Sequence, residues 1–135
     1  MLFRSEGGLR KVLNAGHTIG HAIERAVDYA MLHGECVGIG LRVEAAIAQA
    51  MGLAPATLEA RISDALRRLD LPLRPRVPVP ARTILEATRS DKKARAGMVE
   101  YALLTEIGAP AAADRAYGTP VPDAVVIGAL EATLG

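Results

Sequence analysis

Apolar residues recur every three or four positions over most of this chain, and that spacing predicts a succession of helices. Leu9, Val12, Ile19, Ile23, Ala26 and Val27 mark the apolar side of a first helix, Arg10 to Val27. A second helix, Gly34 to Met51, carries Ile39, Val43, Ala46, Ile47 and Ala50 inward and stops near Gly52, a C-terminal cap. PATLEARISDALRRLDL, opened by Pro55, is a third, with Leu58, Ile62, Ala65, Leu66 and Leu69 in one stripe. Arg61, Arg67 and Arg68 form its solvated side. Pro72 to Pro80 excludes regular helix and makes an extended connector. Ala81 to Arg89 is a short helix. The period then drops to two, Val99, Tyr101 and Leu103 alternating with Glu100, Ala102 and Leu104, which predicts a strand or hairpin arm. Pro122 opens a last helix, Asp123 to Leu134, with Val126, Leu130 and Leu134 inward. The expected fold is therefore mainly α, a helical bundle with a short β-hairpin. One domain spans 1–135, with no internal repeat.

Composition supports that reading. Half of the 135 residues are apolar but only 3% are aromatic, which favours close-packed helices over a sandwich or barrel. The net charge of +1 gives no broad footprint for nucleic acid. No apolar run reaches membrane-spanning length and Met1 to Gly8 lacks a signal-peptide core, so no membrane partner and a cytoplasmic location are expected. The single cysteine, Cys36, cannot form an internal disulfide and reads as a small packed residue.

The polar side of the first helix changes the picture. At about 100° per residue, Arg10, Asn14, His17, His21 and Glu24 fall within an arc of about 80°. Any amphipathic helix has a polar side, but an amide, two imidazoles and a guanidinium are donors and ligands rather than a solubilising Glu/Lys mixture. His33-Gly34-Glu35 opens the next helix, so all three histidines lie within seventeen residues. Gly16 and Gly20 are one turn apart on the first helix, Gly34 and Gly38 on the second. Each helical glycine costs about 1 kcal/mol relative to alanine, so the set implies close backbone approach. A tight helix pair would bring His33 beside His17 to bind one metal; alternatively His17 and His21, four apart, both ligate it. The metalloprotease pattern is excluded, because Thr18 stands where its glutamate belongs. Lys92 and Lys93 by themselves read as a solvated pair.

LNAGHTIGHAIE (13–24) followed by LHGECVGIG (32–40) resembles the C-terminal domain of the 3-dehydroquinate synthase family, which acts in the shikimate pathway. Asp91–Lys93 (DKK), Gly97 and YALLTEIG (101–108) match further family segments in the same order. The resemblance implies a phosphate-eliminating cyclase, a lyase that uses NAD and zinc or cobalt. Its members convert 3-deoxy-arabino-heptulosonate 7-phosphate to 3-dehydroquinate and phosphate. It implies that His17 and His33 are two of three metal ligands, and that His21 is catalytic, in proton handling. Arg10, Asn14 and one of Lys92 and Lys93 contact the anionic sugar-phosphate substrate. Ala15 departs from the large apolar residue usual between Asn14 and Gly16.

The family's third ligand is a glutamate in an AE-x-x-K-like motif upstream of these residues. Its nucleotide-binding half has no counterpart here, where no Gly-rich strand–turn–helix pattern occurs. Glu24 and Glu35 are the available carboxylates, and neither matches the ligand motif. The chain is expected to be part of such an enzyme, inactive alone, requiring the absent N-terminal half or a split partner chain. Two imidazoles alone are expected to hold zinc weakly. Self-association through faces left open by that half is expected as well. Part of a related sugar-phosphate cyclase, or a non-catalytic helical module binding metal or a partner, are the alternatives.

Overall fold

In chain order the computed structural model contains helices α1 (His17–Ala26), α2 (His33–Ala50), α3 (Leu58–Arg68) and α4 (Ala81–Arg89), strands β1 (Ala94–Arg95), β2 (Met98–Tyr101), β3 (Leu104–Glu106), β4 (Ala109–Pro110) and β5 (Thr119–Val121), and helix α5 (Asp123–Leu134). It describes residues 15–89, 94–95, 98–101, 103–106, 109–110 and 119–135. Helix α2 is the axis: α1, α3 and α5 all pack on it, and α4 leans on α1 and α5. Its two sides serve two apolar clusters. Cys36, Ile39, Val43 and Ile47 are fully buried against α1, α4 and α5 with Ile19, Ile23, Ile84, Val126 and Leu130. Ala45 faces the opposite way, into a smaller cluster with Leu58, Ile62 and Leu66 of α3. Three fully buried β-branched side chains on one helix contribute roughly 2 kcal/mol each, with the cysteine in addition. No described helix is long and apolar enough to cross a membrane.

The helix ends follow local chemistry. Gly52 turns α2 off in the left-handed region (φ +73°), as its position after the last periodic residue predicts. Its N–H reaches the Gln49 carbonyl at 3.1 Å and the Leu53 N–H reaches that of Ala48 at 2.9 Å. Asp28 (φ 55°) and Asp70 (φ 58°) end α1 and α3 in the same way. Leu69, counted in the inward stripe of α3, is instead 68% exposed, just beyond the last turn.

One expectation is corrected. The first helix does not run unbroken from Arg10: α1 starts at His17, and Gly16 before it has φ +83°, which a right-handed helix does not admit. Arg10 and Asn14 lie outside the described residues, so the five-residue stripe reduces here to His17, His21 and Glu24. The expected strand or hairpin arm is present as β2, which pairs antiparallel with β1 and also with β5 in a three-stranded sheet, Val99 standing opposite both Ala94 and Val121. A separate pair, β3–β4, lies next to it in sequence. Strand β5 is three residues long, too short to show a period. Val99, Tyr101, Leu103 and Val121 are all buried, as the alternation from Val99 to Leu103 requires.

Candidate metal and active site

Glycine sets the distance between α1 and α2, though not with the partners that spacing suggested. A Cβ on Gly40 would fall on the Gly16 carbonyl oxygen and 2.7 Å from the Gly20 nitrogen. One on Gly20 would meet Val37 Cα at 3.1 Å. Gly34 faces open space, and Gly38 is pressed by Leu66 of α3 instead. Gly16 and Gly20 therefore cross α2 at Val37 and Gly40, about one helical turn beyond the expected contact.

The start of α1 has no side-chain cap of its own. Glu44, a buried carboxylate on α2, supplies one from across the crossing. Its oxygens accept from the Gly16 N–H at 2.9 Å and the Ile19 N–H at 3.1 Å. A negative charge on the orphan N–H groups of a helix start is favourable by both hydrogen bonding and the helix dipole. Its signal in the sequence is a single carboxylate at a core position of α2, between Val43 and Ala45.

This crossing brings the three imidazoles together. Ring centroids are 5.6 Å apart for His17 and His21, 5.4 Å for His17 and His33, and 5.8 Å for His21 and His33. Both ligand pairs left open by the sequence thus converge on one place. His17 Nδ1 lies 3.3 Å from the Ala15 carbonyl. Imidazole nitrogen suits zinc and cobalt, so the donor set fits the metal that the family resemblance implies.

The two carboxylates separate cleanly. Glu24 Oε2 lies 3.0 Å from His33 Nδ1, the contact through which a carboxylate orients a metal-binding imidazole. Glu35 turns away: it accepts the Leu32 N–H at 3.1 Å at the start of α2 and Arg76 Nη2 at 2.6 Å. The Arg76 hydrogen bond, then that of Leu32, holds its carboxyl below the usual range. Lys92 and Lys93 lie outside the described residues.

His17 and His33 also stand at the edge of an apolar groove of about 540 Å³ between α2 and α3, with Val37, Leu41, Leu66 and Leu71 along it. Cys36, by contrast, is fully buried in the apolar core. Burial first, then the Glu24 and Glu35 carboxylates, push its thiol up to about 11. Since the thiolate is the reactive form, Cys36 should not react with a disulfide reagent at pH 7.5 until denaturant is added. One thiol should then be released. Rapid labelling of the folded chain would show instead that α1 and α2 separate readily.

The family model described as 3-dehydroquinate synthase C-terminal matches residues 4–94. The 3-dehydroquinate synthase of Symbiobacterium thermophilum is 40% identical over 99 residues, 73% of this chain and 28% of its own length. That of Synechocystis sp. is 36% identical over 131 residues, 96% of this chain and 34% of its own. The chain thus spans about a third of the relatives it matches. Among solved structures, 2-deoxy-scyllo-inosose synthase complexed with carbaglucose-6-phosphate, NAD+ and Co2+ superposes with a TM-score of 0.74 at 28% identity, over 90% of this chain and 33% of that one. The 2-epi-5-epi-valiolone synthase of Streptomyces hygroscopicus with NAD+ and Zn2+ bound gives 0.64 at 25% identity, over 90% and 32%. With two-thirds of its residues under the family model and its helices on the cyclase fold, the chain belongs to the 3-dehydroquinate synthase family and corresponds to its C-terminal part.

Proposed function

We propose that this chain is the metal- and substrate-binding part of a 3-dehydroquinate synthase, one module over residues 1–135. The observation that carries the reading is the convergence of His17, His21 and His33, from two helices, at the edge of a groove. His17 and His33 would hold a zinc or cobalt ion, with a glutamate from outside this chain as third ligand. When bound, the ion supplies Lewis-acid polarisation of the substrate hydroxyl. NAD belongs to the part of the enzyme outside this chain.

The chain's own residues then have distinct work. Glu24 orients the His33 ring by accepting from Nδ1–H, which leaves the Nε2 lone pair free to ligate. His21 is exposed, its ring centroid 5.6 Å from that of His17 and 5.8 Å from that of His33, and would take or return a proton at the reacting hydroxyl. Arg10 and one of Lys92 and Lys93 would neutralise the carboxylate and phosphate of the heptulosonate phosphate, and Asn14 would hydrogen-bond to the substrate. The related cyclases are the second reading, favoured by the superpositions. Identity favours the first, 36–40% to the dehydroquinate synthases against 25–28% to the solved cyclases.

A coupled phosphate-release assay tests the proposal. The chain alone, with NAD and zinc, should release no phosphate from the heptulosonate phosphate. Mixed with a separately expressed N-terminal half of a dehydroquinate synthase, it should turn over. In that mixture His17→Ala should reduce the rate to background, and His21→Gln should lower it by about 100- to 10,000-fold. Glu86→Ala, exposed on α4, should change little. Turnover by the chain alone, or on hexose phosphate in preference to heptulosonate phosphate, would overturn this reading.

A further inference from the structure

The start of α1 lacks both halves of a local capping box. Gly16, its N-cap, has no side chain, and Ile19, at the third helical position, is apolar. Nor does Gly16 leave room for a side chain: a Cβ there would meet Leu41 Cγ at 2.7 Å and the Val37 carbonyl oxygen at 2.9 Å. Glu44 replaces the pair alone, accepting from the Gly16 N–H with Oε1 at 2.9 Å and from the Ile19 N–H with Oε2 at 3.1 Å. These two groups bracket His17 and Thr18. Glu44 is 3% exposed, and burying a carboxylate is costly unless it is well hydrogen-bonded. A local cap would satisfy α1 with no buried charge, but it would not tie α1 to another helix. Glu44 lies eleven residues after His33, and eleven residues turn a helix through about 1,100°, within about 20° of three full turns. His33, Val37, Gly40 and Glu44 therefore form one stripe of α2. Helix α1 lies along that stripe. Gly20 packs on Val37, the Gly16 carbonyl on Gly40, and the Gly16 and Ile19 N–H groups on Glu44. The His17 ring, its centroid 5.4 Å from that of His33, extends from the turn so held.

We propose that Glu44 is a positioning residue: it sets the place of the His17 imidazole relative to His33, so that α2 carries one ring and holds the other in register. Its oxygens accept from backbone N–H groups, so it acts through His17 and not on the substrate. Glu44→Gln keeps the size and one acceptor oxygen but turns an amide donor toward a second N–H donor. One of the two clamps then opens and the first turn of α1 moves. The inference rests on the reading of this crossing as the catalytic site, yet the hydrogen bonds and the ring geometry belong to the chain by itself. A failed phosphate assay and a failed Glu44 test are therefore separate results.

The test compares wild type with Glu44→Gln and with Ser63→Ala, a buried position on α3 that hydrogen-bonds Glu59 and Arg42. Both variants should lower the urea midpoint, and far-UV circular dichroism gives the folded fraction. In the metal-free 135-residue chain, Glu44→Gln should shift the His17 ring nitrogen resonances and weaken the nuclear Overhauser effect between the His17 and His33 rings. Ser63→Ala should do neither. In the mixture with the N-terminal half, Glu44→Gln should lower kcat about 10- to 100-fold at equal folded fraction, and Ser63→Ala by less than about threefold. Should Glu44→Gln fail to fold, Glu44→Asp, which keeps the charge but falls one methylene short, takes its place. The wild-type amides give an independent reading: those of Gly16 and Ile19 should exchange with solvent at least about tenfold more slowly than in an unprotected peptide. No turnover in the wild-type mixture would count against the function, with the ring and amide readings still deciding the role of Glu44. His17 resonances unmoved by Glu44→Gln, equal effects of the two variants on the rings, or unprotected Gly16 and Ile19 amides would each overturn the proposal.

Discussion

Gly40→Ala should destabilise the chain by about 2 kcal/mol, although alanine is the better helix former. The added Cβ falls on the Gly16 carbonyl oxygen and within 2.7 Å of the Gly20 nitrogen. These are backbone atoms and cannot rotate aside, so α1 and α2 must separate locally. Overpacking of this kind costs about 1–3 kcal/mol, and rigid neighbours put Gly40 at the upper end. Better helix propensity offsets about 1 kcal/mol of that. Displacing the start of α1 also lengthens the two hydrogen bonds from Gly16 and Ile19 to Glu44 and moves His21 relative to His33. Gly34→Ala is the matched control. It sits in the same helix with nothing within 4 Å, so it should be neutral or stabilising by up to about 1 kcal/mol. Urea midpoints for both variants make the comparison, and equal effects would refute the close-packed crossing.

Arg42→Met should be more damaging still, by about 3 kcal/mol, because it leaves a half-buried carboxylate without its cationic partner and two carbonyls without their donor. Arg42 Nε lies 2.7 Å from Glu59 Oε2 and 3.0 Å from Ser63 Oγ on α3. Its Nη1 donates to the Leu73 carbonyl at 2.9 Å and to that of Thr133 at 2.8 Å. The Thr133 carbonyl is one of the last four of α5, which have no partner within their own helix. One guanidinium thus ties α2, α3, the proline-rich connector and the end of α5. Arg42→Lys should recover only part of the loss, since an ammonium lacks the planar fork that reaches all of these acceptors.

Acid should erase part of the difference. Burial alone would raise the Glu59 carboxyl, but hydrogen bonds from Ser63 and Arg42 outweigh it and hold the group below its usual 4.5. A lowered folded value stabilises the fold above the unfolded value and loses that contribution as pH falls through the folded one. Urea unfolding of wild type and Arg42→Met at pH 7 and at several values below 4.5 should show the gap narrowing. A gap that stays constant to pH 3 would mean that Glu59 is not the acceptor that matters.

The helices were legible because each one needs only its own spacing. The α4 and α5 bounds read from periodicity agree with the structure, and α2 agrees to within a residue at each end. Its interior positions Ile39, Val43 and Ile47 are buried as expected. Ala50, expected inward, is exposed. Strand β5 was not legible: its pairing with β2 depends on residues about twenty positions away. The glycine crossing was half legible. Glycine spacing announced a close approach, but which glycines meet depends on the offset between two helices, which neither helix encodes alone.

The amino-acid order by itself determined the helical periods, the glycine stop after α2, the motif strings that mark the family and the clustering of three histidines in seventeen residues. Those are local properties, fixed by residue type and by separation along one chain. Tertiary structure decided the rest. It started α1 at His17, where a left-handed Gly16 and the Glu44 carboxylate replace the helix expected to continue from Arg10. It also chose between two carboxylates that look equivalent in sequence, committing Glu35 to Arg76 and the α2 start, and Glu24 to His33. The physical reason is the same in each case. A carboxylate takes whichever donors the packing brings within about 3 Å, and that packing is set by backbone contact between helices distant in sequence.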